Sequence, residues 1–131
     1  MKKKKTILLA NNFKLVNKGI RLTIWRKREQ YMFIGEVSTM EDLFVKLHIC
    51  NPDILIIPHR LLHTLVASYL PLIRQASPKT KIFMFTMAAD MDILLDTIEN
   101  IDGLVYQNSD IEIFLKALDV VADGGRYISV P

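Results

Sequence analysis

Short apolar runs alternate with amphipathic stretches five times along the chain, which is typical of repeated β-α units. The apolar runs predict five strands, at Thr6–Ala10, Tyr31–Val37, Asp53–Ile57, Lys81–Thr86 and Gly103–Tyr106. The amphipathic stretches predict five helices, at Phe13–Lys27, Thr39–His48, His59–Gln75, Ala89–Asn100 and Asp110–Asp123. With no internal repeat or linker between these elements, residues 1–131 are predicted to form one domain.

The character of the apolar runs indicates how the strands are arranged. Strands one, three and four are continuous apolar runs, whereas the second strand is more mixed. Continuous runs indicate burial on both faces, as in a parallel sheet covered by helices on each side. Because crossovers between parallel strands are right-handed, few topologies remain. The pattern predicts an α/β fold, a doubly wound, flavodoxin-like, five-stranded parallel sheet of order 2-1-3-4-5 with the second strand at an edge.

The first and fifth helices each carry a second apolar stripe in addition to the stripe expected to face the sheet. The predicted core residues are Val16, Ile20, Thr23 and Ile24 in the first helix, and Ile111, Phe114, Leu115 and Leu118 in the fifth. Gly19 is expected to pack close to the sheet. The second stripes consist of Leu15, Leu22, Trp25, Ile113, Ala117 and Val120. Paired extra stripes favour a partner surface over ordinary scattered apolar residues, so we expect a homodimer through these two helices.

Composition restricts the class of protein. The chain has 131 residues, of which 50% are hydrophobic and 24% charged, as in a globular protein with a sizeable core. The longest apolar runs are far shorter than the roughly 18 residues that a membrane span needs, so no membrane association is expected. Cys50 is the single cysteine, which excludes an internal disulfide and fits a reducing compartment. A cytoplasmic protein is expected.

The charge pattern gives only weak support for nucleic-acid binding. The formal net charge is +3, and four of the 17 basic residues form the run Lys2–Lys5. Another cluster, Arg21, Arg26, Lys27 and Arg28, falls near the end of the first helix. Nucleic-acid binding requires a basic face with aromatic residues beside it, which the linear pattern does not establish. A solvated basic start of the chain is the favoured interpretation.

The residues that follow the predicted strands lack carboxylates. In a doubly wound sheet, ligands bind in the crevice at the carboxyl ends of the strands. The residues expected at this crevice are Asn11, Asn12, Pro58, Thr86 and Gln107. Asp53 is expected at the opposite edge of the sheet, near the start of its strand. A site of this composition is not expected to hold a divalent cation.

Several segments together carry a resemblance to a known family. They are Ile7-Leu8-Leu9-Ala10-Asn11-Asn12, Pro52-Asp53-Ile54-Leu55-Ile56-Ile57, Lys81-Ile82-Phe83-Met84-Phe85-Thr86-Met87, Gly103-Leu104-Val105-Tyr106-Gln107-Asn108-Ser109 and the closing Gly124-Gly125-Arg126-Tyr127-Ile128-Ser129. Over essentially its whole length, the chain resembles a CheY-like response-regulator receiver domain. Gly19 in the first helix and the Gly-x-Arg-Tyr ending resemble the LuxR/NarL-type transcriptional regulators. In that subfamily a helix-turn-helix domain follows, so residues 124–131 are expected to begin a linker to a DNA-binding domain that is not in this chain.

The resemblance implies a degenerate site. The acid pair that binds the metal in the family falls on Asn11 and Asn12, and the phosphoacceptor aspartate falls on Pro58. The family's hydroxyl switch residue falls on Thr86 and its lysine on Gln107. Proline offers no nucleophile, and neutral amides compete poorly with water for Mg²⁺. The resemblance therefore implies a pseudo-receiver domain that works without phosphorylation, with no cofactor, no metal and no catalytic residue.

Two further positions depart from the family. The switch aromatic of the last strand falls on Leu104, and the loop that usually follows the acceptor falls on 61–66. Pro58 is predicted to take the first position of the third helix, where its missing N–H costs nothing. These departures indicate that the metal-binding and phosphoacceptor functions of the site were lost together.

Other kinds of site are less well supported. His59 and His63 are one helical turn apart, as in half a zinc site, but no third ligand is near them in sequence. The chain contains no Gly-x-Ser-x-Gly elbow and no glycine-rich phosphate loop. Structural histidines and a protein that is not an enzyme are expected.

Several alternatives stay open at the level of sequence. The protein could be a free-standing interaction module that docks on another signalling protein, or a small-molecule sensor that uses the neutral crevice. Dimerisation could instead use the face formed by the fourth helix, the fifth strand and the fifth helix, where Leu104 and Tyr106 would matter.

Overall fold

The computed structural model describes residues 3–62, 66–87 and 98–129. The strands are β1 (Lys5–Ala10), β2 (Tyr31–Val37), β3 (Ile54–Pro58), β4 (Lys81–Thr86), β5 (Gly103–Tyr106) and β6 (Tyr127–Ile128). The helices are α1 (Lys14–Trp25), α2 (Met40–Cys50), α3 (His59–Leu62), α4 (Val66–Ala76) and α5 (Ile111–Ala122), with a 3₁₀ turn at Ile98–Asn100. All five predicted strands are confirmed to within one residue at each end. Most of the predicted fourth helix, Ala89–Asn100, lies outside the described residues.

The sheet is parallel with the order β2-β1-β3-β4-β5-β6, so the predicted 2-1-3-4-5 order is confirmed and β2 lies at an edge. The predicted number of five strands is wrong by one. After α5, Gly124 has a φ of +90°, which lets the chain turn back toward β5. The amides of Tyr127 and Ser129 then donate to the carbonyls of Asp102 and Leu104 at 3.0 and 2.9 Å. A strand of two residues is too short to leave a periodic signal in the sequence.

Two hydrophobic clusters cover the two faces of the sheet, as continuous apolar strands require. The cluster on the α2 and α4 side contains Leu8, Leu43, Leu47, Leu55, Ile57, Leu70, Ile73, Ile82, Met84 and Leu104 among others. The cluster on the α1 and α5 side contains Ile7, Leu9, Ile24, Ile54, Ile56, Phe83, Phe85, Val105, Leu118 and Val121 among others. Alternate residues of β1, β3 and β4 enter opposite clusters. The parallel pairing of these strands brings their carboxyl ends side by side.

The faces of α1 and α5 differ in part from the prediction. Ile24 is buried and Val16 and Ile20 pack partly against the sheet, but Gly19 is exposed and a Cβ placed on it would meet nothing within 4 Å. The expectation that Gly19 packs close to the sheet is therefore wrong. Ile111, predicted to face the core, is 50% exposed because it begins α5 at the rim of the sheet.

A polar cluster joins the turn after α1, β2 and α5 at the amino-terminal side of the sheet. The Tyr31 hydroxyl donates to Asp119 Oδ1 at 2.6 Å, and Lys27 Nζ donates to Asp119 Oδ2. Burial and the hydrogen bond to Asp119 raise the pKa of Tyr31 far above its ordinary value. Tyr31 therefore stays neutral well into the alkaline range while it anchors the edge strand to the last helix.

Candidate functional site

The polar residues predicted for the crevice all lie at the carboxyl edge of the sheet. Asn11 directly follows β1, Pro58 is the last residue of β3, Thr86 ends β4 and Gln107 directly follows β5. Pro58 pairs with Phe85 in the register of β3 and β4, and it is buried. The expectation that Pro58 begins the third helix is wrong, since His59 begins α3.

Asn11 is fully buried and its polar groups are almost all used. Its amide N donates to the Val37 carbonyl at 2.9 Å, and its carbonyl accepts from Asn17 Nδ2 at 3.0 Å. Its side-chain oxygen Oδ1 accepts from the Arg60 guanidinium at 2.9 Å. Asn11 thus links the end of β1 to α1 and to α3, and its side-chain oxygen already has a cationic partner.

Arg60 is the functional candidate that the sequence did not reveal. Besides donating to Asn11, its guanidinium carbon lies 5.3 Å from the centre of the Phe13 ring, which is within the range of a cation-π contact. The guanidinium is therefore held from two sides beside the Asn11 side chain. A fixed positive charge at this point repels a divalent cation, in addition to the weak attraction that amide oxygens offer to one.

The other residues predicted for the crevice and its switch position carry neutral side chains. Asn12 and Gln107 are exposed, and the Gln107 amide N donates to the Thr86 carbonyl at 2.8 Å. Thr86 is buried, with its hydroxyl donating to the Met87 carbonyl at 3.2 Å. Leu104 is fully buried within the cluster on the α2 and α4 side. None of these four side chains adds a charge to the crevice.

Asp53 and the nearby histidine His59 do not replace the missing carboxylates. Asp53 lies at the opposite edge of the sheet, as expected, where its Oδ2 accepts from the Thr6 backbone N at 2.8 Å and the Thr6 hydroxyl at 3.1 Å. His59 is buried at the start of α3, and His63 lies outside the described residues. Within the described ranges, no three His, Cys, Asp or Glu side chains form a group that could hold a metal ion.

The structure separates the residues predicted to form the dimer surface. Leu15, Leu22 and Trp25 are 75%, 63% and 62% exposed, and Ile113 is exposed to a smaller degree. Ala117 is fully buried in the cluster on the α1 and α5 side, so its assignment to a surface stripe is wrong. The cause is the rotation of α5 about its own axis. Leu118 and Val121 define its buried face, and Ala117 falls within that face.

Two grooves flank α1. One, of about 300 Å³, lies between α1 and α5 and includes Val16, Gly19, Ile20, Ile111 and Phe114. The other, of about 710 Å³, lies between α1 and β2, and Leu22 and Trp25 line it. Leu22 and Trp25 therefore belong to a different surface from the apolar groove that α1 shares with α5.

Solved receiver domains of response regulators superpose on nearly the whole chain, so the chain has the receiver-domain fold. The isolated receiver domain of RcsB from Salmonella enterica serovar Typhimurium, solved with phosphomimetic BeF3−, has a TM-score of 0.84 at 20% identity, covering 97% of this chain and 94% of that one. A LuxR-family two-component response regulator from Aurantimonas sp. SI85-9A1 has a TM-score of 0.83 at 24% identity, covering 97% and 91%.

A longer solved protein shows how such a domain can be part of a larger chain. RcsB, solved as two dimers bound to two parallel DNAs, has a TM-score of 0.83 at 21% identity, and the match covers 97% of this chain but 65% of that one. No protein-family model matches the sequence, and a search of curated proteins gives no match. Of the helices that the structure describes, none is both long and apolar enough to cross a membrane.

Proposed function

We propose that this chain is a phosphorylation-independent pseudo-receiver domain that provides signal input and dimerisation to a transcription regulator. The observation that carries the proposal is the Arg60 guanidinium, which donates to Asn11 at 2.9 Å in the crevice at the carboxyl edge of the receiver fold. A metal-dependent phosphotransfer site needs carboxylates that attract Mg²⁺ and a nucleophile that accepts the phosphoryl group. Here a cation lies beside a neutral amide, and the strand that would carry the nucleophile ends in Pro58.

The burial of the crevice supports the same proposal. Asn11 is fully buried and bonded to three other segments of the chain, so its side chain is held in place before any ligand arrives. Such a contact stabilises one conformation of the loops around β1 and β3. The domain then keeps one state without modification, which suits a constitutive dimerisation unit or one whose input is a protein partner.

Phosphorylation is the direct test of this function. Incubation with acetyl phosphate or a cognate histidine kinase and Mg²⁺ is expected to leave the intact mass of the chain unchanged, because no carboxylate nucleophile stands at the end of β3. Beryllofluoride is likewise expected to leave its amide NMR spectrum unchanged. A receiver domain with the full set of acids, treated in parallel, serves as the positive control. A stable gain of one phosphoryl group mapped to any crevice residue would refute the proposal.

Dimerisation through α1 and α5 is the second part of the proposal. The apolar groove between these helices combines the exposed Ile111 with Gly19, where the absence of a side chain leaves room for a partner helix. Leu15 adds an exposed apolar side chain one turn before Gly19. A two-fold interface uses the same patch on both copies, so each of these residues contributes twice. Contact with duplex DNA would come from a separate domain, as the DNA-bound RcsB suggests.

The Ile111→Glu variant is expected to weaken a micromolar dimer by about thirtyfold or more, since each copy loses an apolar contact of hot-spot size. Folding is expected to be preserved, because Ile111 is the first residue of α5 and a negative charge is favourable there. Sedimentation equilibrium measures the change. Val45→Glu is the matched control, since Val45 is a comparably exposed apolar residue on α2 at the other face of the sheet.

Two outcomes of the sedimentation experiment would contradict this interface. If Val45→Glu disrupts the dimer and Ile111→Glu does not, the copies associate through the opposite face of the domain. If the wild-type chain is monomeric at several hundred micromolar, dimerisation does not reside in this domain. Tyr106→Ala is unsuitable as a probe of the alternative face, because Tyr106 is buried and its loss would disturb the core.

A further inference from the structure

A concave surface of about 710 Å³ between α1 and the edge strand β2 concentrates positive charge. We call this surface the basic groove. The charged residues that line it are Lys4, Lys14, Lys18, Arg21, Arg28 and Glu36. Five of these six side chains are basic, whereas the formal charge of the entire chain is only +3, so the rest of the chain is slightly acidic in sum. The fold therefore gathers the excess charge of the molecule into a single groove.

The single acid in the basic groove does not neutralise it. Glu36 approaches Lys14 at 3.8 Å and Arg21 at 3.9 Å, and both cations are more than half exposed. Exposed ion pairs at such distances contribute little to stability, so an anionic ligand could replace them at small cost. No acidic partner within 4.0 Å is described for Lys4, Lys18 or Arg28, in the part of the chain that the structure covers.

Aromatic rings alternate with these cations. The guanidinium carbon of Arg28 lies 5.0 Å from the centre of the Trp25 ring, and that of Arg21 lies 5.9 Å from the centre of the Phe33 ring. Trp25 remains 62% exposed and Met32 beside it 48% exposed, although both are large apolar side chains. An exposed ring between cations is the arrangement on which a nucleic-acid base can stack while its phosphates meet the cations.

The spacing of the cations along α1 suits a flexible phosphate backbone. Lys14, Lys18 and Arg21 follow one another at intervals of four and three residues, which places them on successive turns about 5.4 Å apart along one side of the helix. Beyond the end of α1, Arg28 lies beside Trp25, and Lys4 also lines the groove. A phosphodiester chain that runs along α1 would meet a cation at each turn of the helix.

From this arrangement we propose that the basic groove binds single-stranded nucleic acid, with phosphates along α1 and a base stacked on Trp25. A duplex is not the ligand, because its bases are already stacked and cannot reach the ring. An acidic peptide would pair with the cations but would supply no flat ring system to cover Trp25. Nucleic-acid binding at the basic groove does not depend on whether the crevice is phosphorylated, because the two sites share no residue.

The test uses the wild-type chain and fluorescein-labelled oligothymidylate or oligouridylate of about ten nucleotides. Because Trp25 is the single tryptophan, quenching of its emission reports stacking directly, while anisotropy of the label reports binding. Both signals are expected to saturate together at low salt. The logarithm of the association constant is expected to fall with the logarithm of salt concentration, with a slope of about −0.7 for each phosphate neutralised. Comparing the two oligonucleotides tells whether DNA or RNA is preferred.

Three variants separate the roles of ring and charge. Trp25→Ala is expected to lower the affinity by about fivefold or more, and Trp25→Phe to retain most of it, because phenylalanine still stacks. Lys18→Gln is expected to reduce the magnitude of the salt slope by about 0.7. The matched control is Lys79→Gln, which removes one exposed positive charge from the turn before β4, outside the basic groove, and is expected to leave the slope unchanged.

Three results would each overturn the proposal. One is that neither oligonucleotide quenches Trp25 or changes the anisotropy at low salt. Another is that Trp25→Ala binds as tightly as the wild type, which would reduce the groove to a nonspecific polyanion surface. The third is that poly-glutamate or anionic vesicles of comparable charge displace the oligonucleotide at equal concentration, which would assign the groove to an acidic protein or a membrane surface.

Discussion

A chain that carries Asn11→Asp, Asn12→Asp and Pro58→Asp is expected to bind Mg²⁺ at least about tenfold more weakly than the same chain with Arg60→Ala added. The three substitutions place carboxylates at the ends of β1 and β3, the positions on which the acids of receiver domains fall by resemblance. Arg60 would still lie beside position 11, however, because its contact with Asn11 Oδ1 becomes an ion pair. At about 5 Å in a water-like dielectric, its repulsion of a divalent cation is about 1.7 kcal/mol, or more than tenfold in affinity.

Isothermal titration calorimetry with MgCl₂ measures the two affinities. The matched control adds Lys79→Ala instead of Arg60→Ala, which removes the same charge at an exposed position after α4 and is expected to leave the affinity nearly unchanged. Equal Mg²⁺ affinity with and without Arg60 would show that the guanidinium plays no part in excluding the cation. No heat of Mg²⁺ binding is expected from the wild-type chain or from a chain that carries Arg60→Ala alone.

Phe83→Ala is expected to lower the free energy of unfolding by about 3–5 kcal/mol, the cost of a large cavity in a packed core. Phe83 is fully buried in the middle of β4, and its ring meets that of Phe114 edge-on at 5.4 Å between centres. Its Cδ2 atom lies only 2.8 Å from the place where a Cβ on Gly103 would stand. The ring therefore fills the space that the glycine of β5 leaves open.

Gly103 makes this prediction testable by a double-mutant cycle. Gly103→Ala alone is expected to cost about 1–3 kcal/mol, because the added Cβ would also lie 2.9 Å from Val121 Cγ2. In the Phe83→Ala background the same substitution is expected to be much less costly, since one of the two clashing groups is gone. Urea unfolding followed by circular dichroism measures all four chains. Additive effects would contradict the interpretation, and Leu72→Ala on the exposed face of α4 is expected to change stability by less than about 0.5 kcal/mol.

The order of the central strands and their burial could be predicted from the sequence, because both depend on local patterns. Runs such as Ile54–Ile57 are apolar at every position, which is stable only if helices cover both faces of the strand. The lack of carboxylates at the strand ends could be predicted for a similar reason. Once the strands are located, the residues that follow them are known, and Asn11, Thr86 and Gln107 were found where the strand ends placed them.

The rotation of α5 was less predictable, because a helix with apolar residues on several sides gives no single stripe. Ala117 fits a surface stripe by spacing alone, but the packing of Leu118 and Val121 against the sheet turns it inward. Leu22 and Trp25 also fit a stripe facing α5 by spacing. They instead line the basic groove beside β2, because the tilt of α1 over the sheet follows from packing of the whole layer.

By itself, the sequence determined that this protein is a parallel α/β domain whose strand ends carry amides and proline in place of carboxylates. Those properties depend on residue identity and on patterns a few residues long. Only the tertiary structure decided that Arg60 holds Asn11, 49 residues away, and that five cations and exposed Trp25 meet in one groove. Contacts across such separations depend on strand order, crossover path and helix rotation together. No local pattern encodes these, because the free energy that selects them comes from packing of the complete domain.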